Sequence, residues 1–119
     1  MNRDAARERI GNSIIKKGTT MSEPVYLLVL DQGRTEAWYR LSKGEQDDLQ
    51  SKAMEVEKRV GARLLIACDS RWADEALSGW VVLEYPDVAA VQQKVAELEK
   101  LNWWRYFSAK TILGTKMAE

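Results

Sequence analysis

Histidine is absent from the 119 residues. That absence removes Ser-His-Asp and Cys-His nucleophile arrangements, imidazole metal ligands and histidine acid/base catalysis together. Cysteine is nearly absent too. Cys68 alone can form neither an internal disulfide nor a Cys-based metal cluster, and a reducing, cytoplasmic setting suits it. Long apolar runs are missing. The longest, Val25 to Leu30, is far short of the roughly 20 residues that span a bilayer, so no membrane partner is expected. The N-terminus shows no apolar stretch ahead of a small-residue cleavage site, and so no secretory signal. Gly-rich phosphate loops and clustered metal-binding carboxylates are likewise missing, and Asp47-Asp48 and Asp74-Glu75 read as solvated charge. The sequence therefore calls for no cofactor and no metal. Any chemistry falls to Asp, Glu, Arg, Lys, Tyr, Trp, Ser, Thr or Cys68.

Net charge is zero but unevenly placed. Residues 1–20 carry five basic and two acidic groups, a net +3, which leaves −3 on the other ninety-nine. A mildly acidic body is a poor electrostatic partner for nucleic acid. The first twenty residues are polar, basic and broken by Gly11 and Gly18. They read as a flexible N-terminal extension, from an upstream start or an added expression segment, with an Arg-rich targeting arm as the alternative. Residues 21–119 read as a single domain, since a chain of this length holds one core, and 45% apolar residues with five Trp suffice to pack it.

Pro24 opens a strand over Val25–Leu30, with Asp31-Gln32-Gly33 as its closing turn. Thr35 to Leu41 form a short helical turn bearing Trp38 and Tyr39. Ser42 with Glu45 three residues on is a capping box. Leu49, Ala53, Val56 and Val60 then give the following helix one apolar stripe, and Gly61 sits where a left-handed terminal residue is wanted. Ala62–Cys68 and Gly79–Tyr85 are strands flanking a polar connection. Pro86-Asp87 starts a second helix with Val88, Val91, Val95, Leu98 and Leu101 as its expected buried stripe, ended by Asn102. Tyr106–Leu113 is the last strand. The order is that of an α+β, ferredoxin-like βαββαβ domain, with a four-stranded antiparallel sheet and two helices on one face.

The strands do not alternate apolar with polar, as a half-exposed antiparallel sheet should. Val25, Leu27 and Val29 oppose Tyr26, Leu28 and Leu30. Leu64, Ile66 and Cys68 oppose Leu65 and Ala67, while Trp80 and Val82 oppose Val81, Leu83 and Tyr85. Two helices cover one face, and monomers rarely expose a large contiguous apolar patch. A homodimer through the sheet face is the simplest remedy; the first twenty residues folded over that face would be the other. This element order, the chain length and the segment Asn102-Trp103-Trp104-Arg105-Tyr106-Phe107 resemble the dimeric α/β-barrel superfamily, over about residues 24–115. That superfamily includes antibiotic-biosynthesis-type monooxygenases, muconolactone isomerases and small polyketide cyclases. The resemblance implies a barrel of two packed sheets and a ligand cleft between each sheet and its helices. Characterised enzymes of the group often place a His in that cleft, which this chain cannot do.

Arginine next to aromatics marks the candidate substrate-binding residues: Arg34, Trp38, Arg71, Trp72 and Trp104. Aromatic walls suit planar organic ligands, and Arg supplies a fixed cation for a carboxylate or enolate oxygen. Single Trp residues equally serve as core. Asp31 and Asp69, at strand ends, are candidate acid/base carboxylates or turn caps. Tyr26 and Tyr106 could donate a proton to a developing oxyanion, or simply pack. Asp31 and Tyr106 are the catalytic candidates taken forward, and Cys68 reads as a small buried hydrophobe. Gly79-Trp80-Val81-Val82-Leu83-Glu84-Tyr85 echoes an RNA-recognition strand, but Ser78 replaces its basic residue and Val82 a stacking aromatic. The expected function is small-molecule binding, with cofactor-independent isomerisation, cyclisation or oxygenation of an aromatic or polyketide-like substrate. A non-catalytic ligand-binding or interaction module of the same fold is the alternative.

Overall fold

The computed structural model describes residues 23–118, and the extension expected over residues 1–20 lies outside the described residues. The elements are β1 (Val25–Arg34), α1 (Glu36–Tyr39), α2 (Lys43–Arg59), β2 (Arg63–Asp69), β3 (Gly79–Tyr85), α3 (Val88–Lys100), α4 (Trp103–Tyr106) and β4 (Phe107–Gly114). The strands form one sheet in the order β2-β3-β1-β4, every neighbouring pair antiparallel. This is the ferredoxin-like βαββαβ arrangement, with α1 and α4 as added single turns.

Local chemistry sets the helix ends. Ser42 caps α2 by accepting the Glu45 N–H, and the Glu45 carboxylate accepts the Ser42 N–H at 2.9 Å, so two orphan donors are satisfied reciprocally. Leu49, Ala53, Val56 and Val60 are all buried, and Gly61 follows at φ +81°, a conformation a β-carbon would oppose. Asp87 caps α3 by accepting the Ala90 N–H at 2.8 Å. Pro86 therefore precedes the cap, where the sequence placed it in the first turn. Asn102 ends the helix segment in the left-handed region at φ 56°.

Three expectations need correcting. Asp31-Gln32-Gly33 is not a turn: β1 runs on to Arg34 through a bulge. The Asp31 carboxylate accepts the Gly33 N–H at 2.8 Å, and Gly33 takes φ +110°. One residue is thereby looped out while pairing with β4 continues. A second bulge between Leu64 and Ile66 breaks the alternation of β2. Leu64 lies opposite Leu83, whereas Ile66 and Cys68 lie opposite Val82 and Trp80 on the other face. Finally, α3 is rotated from its expected stripe. Val88 and Val95 are largely exposed, and Ala90, Val91, Lys94 and Leu98 are buried.

The core divides in two. Val25, Leu27, Val60, Tyr85, Ala90 and Val91 pack at one end of the sheet. Ala53, Val56 and Leu98 pack with Leu101 and Trp103 at the other. Each large aliphatic side chain buried there stabilises by roughly 1.5–3 kcal/mol. On the opposite face, register places Tyr26, Leu28, Leu30, Ile66, Trp80, Val82 and Ile112 together, with no described element over them. Ile66 and Ile112 are about half exposed, at 49% and 51%.

Ser42→Ala should destabilise the protein by about 0.5–2 kcal/mol through loss of the cap. Lys43→Ala removes only an exposed pair with Asp47 at i,i+4 and should cost about 0.5 kcal/mol at most. Chemical denaturation of the two variants distinguishes them, and equal effects would mean that the cap does not hold the helix start.

Candidate functional site

A lysine among Ala90, Val91 and Leu98 must find partners or lose its charge, since an isolated buried ammonium is costly. Lys94, 6% exposed, finds two. Its Nζ donates to the Tyr85 phenol oxygen at 2.8 Å and lies 3.1 Å from Glu57 Oε2. The Tyr85 hydroxyl in turn donates to Glu57 Oε1 at 2.7 Å. One helix, the sheet and the other helix thus each supply one member of a closed triad. Burial, reinforced by the hydrogen bond to Glu57, pushes the Tyr85 phenol far above its ordinary range, so it stays protonated.

Glu57 and Lys94 line a cavity of about 490 Å³ between the helix-side face of the sheet and helices α2, α3 and α4. Its lining draws on both core clusters, with Val29 and Leu83 from one side and Ala53, Leu98 and Trp103 from the other. The cavity fills the gap where the two clusters do not meet. Tyr85 lies opposite Val25 on β1, six residues before Asp31. At about 3.3 Å per residue, the triad and the Asp31–Arg34 end are some 20 Å apart along the strand. Met54, 72% exposed, and Trp104, 44% exposed, border it from α2 and α4.

The Asp31–Arg34 end is built from aromatics. Trp103 stacks on Phe107 with centroids 3.9 Å apart, and Trp38 tilts against Phe107 at 4.9 Å. The Arg34 guanidinium lies 5.3 Å from the centroids of both Trp38 and Phe107, a cation–π clamp between them. Thr35 ties β1 to α4 by donating its N–H to the Tyr106 carbonyl at 3.0 Å and its hydroxyl to the Arg105 carbonyl at 2.6 Å.

Of the residues singled out from the sequence, Asp31, Arg34 and Trp104 line this cavity. Trp38 is buried behind Arg34 and does not reach it. Tyr106 is half-buried and also absent from the lining, its backbone carbonyl serving the Thr35 contact. Asp31 is committed to its bulge through Gly33. Arg71 and Trp72 belong to the β2–β3 connection, away from the cavity. There Arg71 binds the Asp69 carboxylate through Nε at 3.1 Å and through its terminal nitrogen at 2.9 Å, which holds that carboxyl down at about 2. Trp72 donates to the Asp69 carbonyl at 3.0 Å and is otherwise 86% exposed. That pair is a self-contained turn. Tyr26 donates to Glu84 on the outer face.

Glu57, Tyr85 and Lys94 escaped the sequence reading. The available signal was phase: Lys94 stands three residues after Val91 and four before Leu98, on the apolar stripe itself. Among the described residues no group of three His, Cys, Asp or Glu side chains is placed to hold a metal ion, and no helix is long and apolar enough to cross a membrane.

No protein-family model and no curated protein matches the chain. Solved structures do share its fold. A protein of unknown function from Rhodopseudomonas palustris aligns at 15% identity and a TM-score of 0.59, over 82% of this chain and 85% of that one. A candidate chlorite dismutase aligns at 18% identity and 0.57, over 76% of this chain and 44% of its own. SnoaB, a cofactor-independent oxygenase from Streptomyces nogalater, aligns at 12% identity and 0.45 over 82% of this chain and 97% of that one, too remote to carry an argument. At such identities the likeness is one of fold, the ferredoxin-like arrangement of this sheet and its helices.

The raised Tyr85 pKa makes stability depend on alkaline pH. The unfolded chain releases the phenol proton above about pH 10 while the folded chain keeps it. The stabilisation is therefore whole below about pH 10 and is lost as pH rises beyond it. Denaturation midpoints measured from pH 8 to 11 should fall more steeply in the wild type than in Tyr85→Phe. Parallel curves would show that the phenol is not held as the triad geometry requires.

Proposed function

We propose that the cavity binds a small, flat organic molecule, aromatic or polyketide-like, and that the protein works as a homodimer paired through its outer sheet faces. The cavity carries the first half of this reading. Its volume of about 490 Å³ lies within the roughly 300–1,000 Å³ of small-molecule sites. Aromatic and aliphatic side chains form the walls, and the charged groups are few: Asp31, Arg34, Glu57 and Lys94. That distribution suits a planar apolar body oriented by one or two polar substituents. Cofactor-independent isomerisation, cyclisation or oxygenation is the chemistry such a site would serve, since each needs a positioned substrate and a proton donor or acceptor. Arg34 and Trp104 would contact the ligand, with Asp31 as the carboxylate nearest to it at that end.

A non-catalytic ligand-binding module is the second reading, and two observations favour it. Asp31 already accepts the Gly33 N–H, and Tyr106 is not part of the lining. Asp31 thus has one oxygen committed to the bulge, and Tyr106 does not reach the cavity to share a proton transfer with it.

The dimer rests on the outer face. Leu28, Leu30, Ile66, Trp80, Val82 and Ile112 form an apolar surface of a kind that monomers seldom leave open. A standard interface buries about 800 Å² on each partner, within reach of a four-stranded sheet face. A cytoplasmic setting suits a chain whose one thiol, on Cys68, lies on that face.

Calorimetric titration with flat bicyclic and tricyclic aromatics tests the binding. At least one should bind, and Trp104→Ala should weaken it about tenfold with little change in Tm, whereas Trp72→Ala should leave it unaltered. If nothing in such a panel binds, the cavity reading fails. Light scattering at micromolar concentration should give twice the chain mass; a single chain mass would overturn the dimer.

A further inference from the structure

Lys94 is more than a structural tie. An ammonium has three protons. The Lys94 Nζ donates to the Tyr85 oxygen and pairs its charge with Glu57 Oε2 at 3.1 Å, which leaves it donor capacity beyond those two contacts. A purely structural buried pair is often replaceable by apolar side chains without loss. Yet this lysine lines the cavity beside Glu57, and Leu83 and Leu98 are among the aliphatic residues that share the wall. A ligand in the cavity can take up that donor capacity.

We propose that Lys94 is the ligand-anchoring residue of the cavity, and that it takes a neutral carbonyl oxygen of the bound molecule: a ketone, quinone or lactone. The preference for a neutral oxygen follows from Glu57. Its carboxylate already balances the ammonium at 3.1 Å, so a ligand carboxylate would enter a site whose positive charge is spent and meet a second negative charge beside it. A carbonyl accepts an N–H of the ammonium without adding charge. Tyr85 acts as a positioning residue. Its hydroxyl bridges Lys94 to Glu57. Polarisation of the bound carbonyl by a held ammonium is also the assistance that enolisation requires.

This inference rests on the cavity being a ligand site, and three probes of one shape separate the two. They are 2-ethylnaphthalene, which has no oxygen, 2-acetylnaphthalene, a ketone, and 2-naphthoate, a carboxylate. Wild-type protein should bind the ketone about tenfold more tightly than 2-ethylnaphthalene by calorimetry, the size expected of one hydrogen bond to a charged donor. Lys94→Met should erase that difference and leave 2-ethylnaphthalene unchanged. Glu57→Gln keeps the shape of the triad but removes its negative charge, and should tighten 2-naphthoate about tenfold. A merely structural role for Lys94 would not invert the ligand preference in this way. Equal binding of ketone and hydrocarbon by the wild type overturns the Lys94 assignment while leaving the cavity reading intact. Failure of all three to bind overturns both. Should Lys94→Met not fold, the Glu57→Gln arm decides, and unchanged 2-naphthoate affinity overturns the proposal.

Discussion

A positive charge in the helix layer has to be balanced where it stands. Lys94 points from α3 toward the sheet, and the balance comes from Glu57 on α2 and Tyr85 on β3. Three elements that otherwise meet through interchangeable apolar contacts are thereby locked in one arrangement. Removing a single member leaves an uncompensated group, most costly where Lys94 is stranded, since 7% of its side chain is exposed against 29% for Glu57. Apolar packing alone tolerates sliding of α3 by a residue; hydrogen bonds of 2.7 and 2.8 Å do not. The rotation of α3 away from Val88 and Val95 is the visible consequence. Burying the aliphatic stripe would have turned Lys94 to solvent and left Glu57 and the Tyr85 hydroxyl to pair only with each other.

The cavity follows from the same arrangement. At the triad the helices are drawn onto the sheet, and at the far end the Trp103–Phe107–Trp38 stack props α4 and α1 against β4 and β1. Between these two anchors the side chains on offer are short: Ala53 from α2, Val29 and Val81 from the sheet, Ala109 and Thr111 from β4. Small residues over about 20 Å of strand cannot fill the space that two large supports hold open. The cavity is thus a product of packing, with no distortion of regular backbone needed beyond the Asp31 bulge. That bulge turns the end of β1 so that Arg34 lies against Trp38 and Phe107.

Most of the fold was legible because its signals are local. The Ser42–Glu45 capping box, Gly61, Asp87 and Asn102 each fix a boundary by a hydrogen bond or a backbone preference within a few residues. The doubly apolar strands were legible through alternation, except in β2, where a bulge shifts the phase at Leu65 and nothing in the sequence of that strand announces it. The site was harder, because it depends on which residues from distant segments meet. Aromatics beside arginines drew attention equally to Arg34 and to Arg71-Trp72. Only the first sits where strand and helix enclose space; the second closes on Asp69 two residues away. Lys94 is hard to place from sequence because an aliphatic alternative, Val88 and Val95, offers a competing phase for α3.

The fold shared with structures at 15–18% identity constrains architecture and leaves chemistry open, since one scaffold carries many unrelated sites. Within that scaffold the composition of this chain narrows the options. Without histidine, no side chain here has an ordinary pKa near neutrality. A proton-transfer site must then be built from groups moved away from their usual range by neighbours, or must act by polarising bonds instead. The triad is of the second kind. Its phenol is held protonated, and its ammonium is held by a hydrogen bond to Tyr85 and an ion pair with Glu57. A set of that character is a poor general base but a competent electrostatic anchor. A chain without imidazole can still hold a carbonyl by a cation that its neighbours fix in place, which is the role proposed for Lys94.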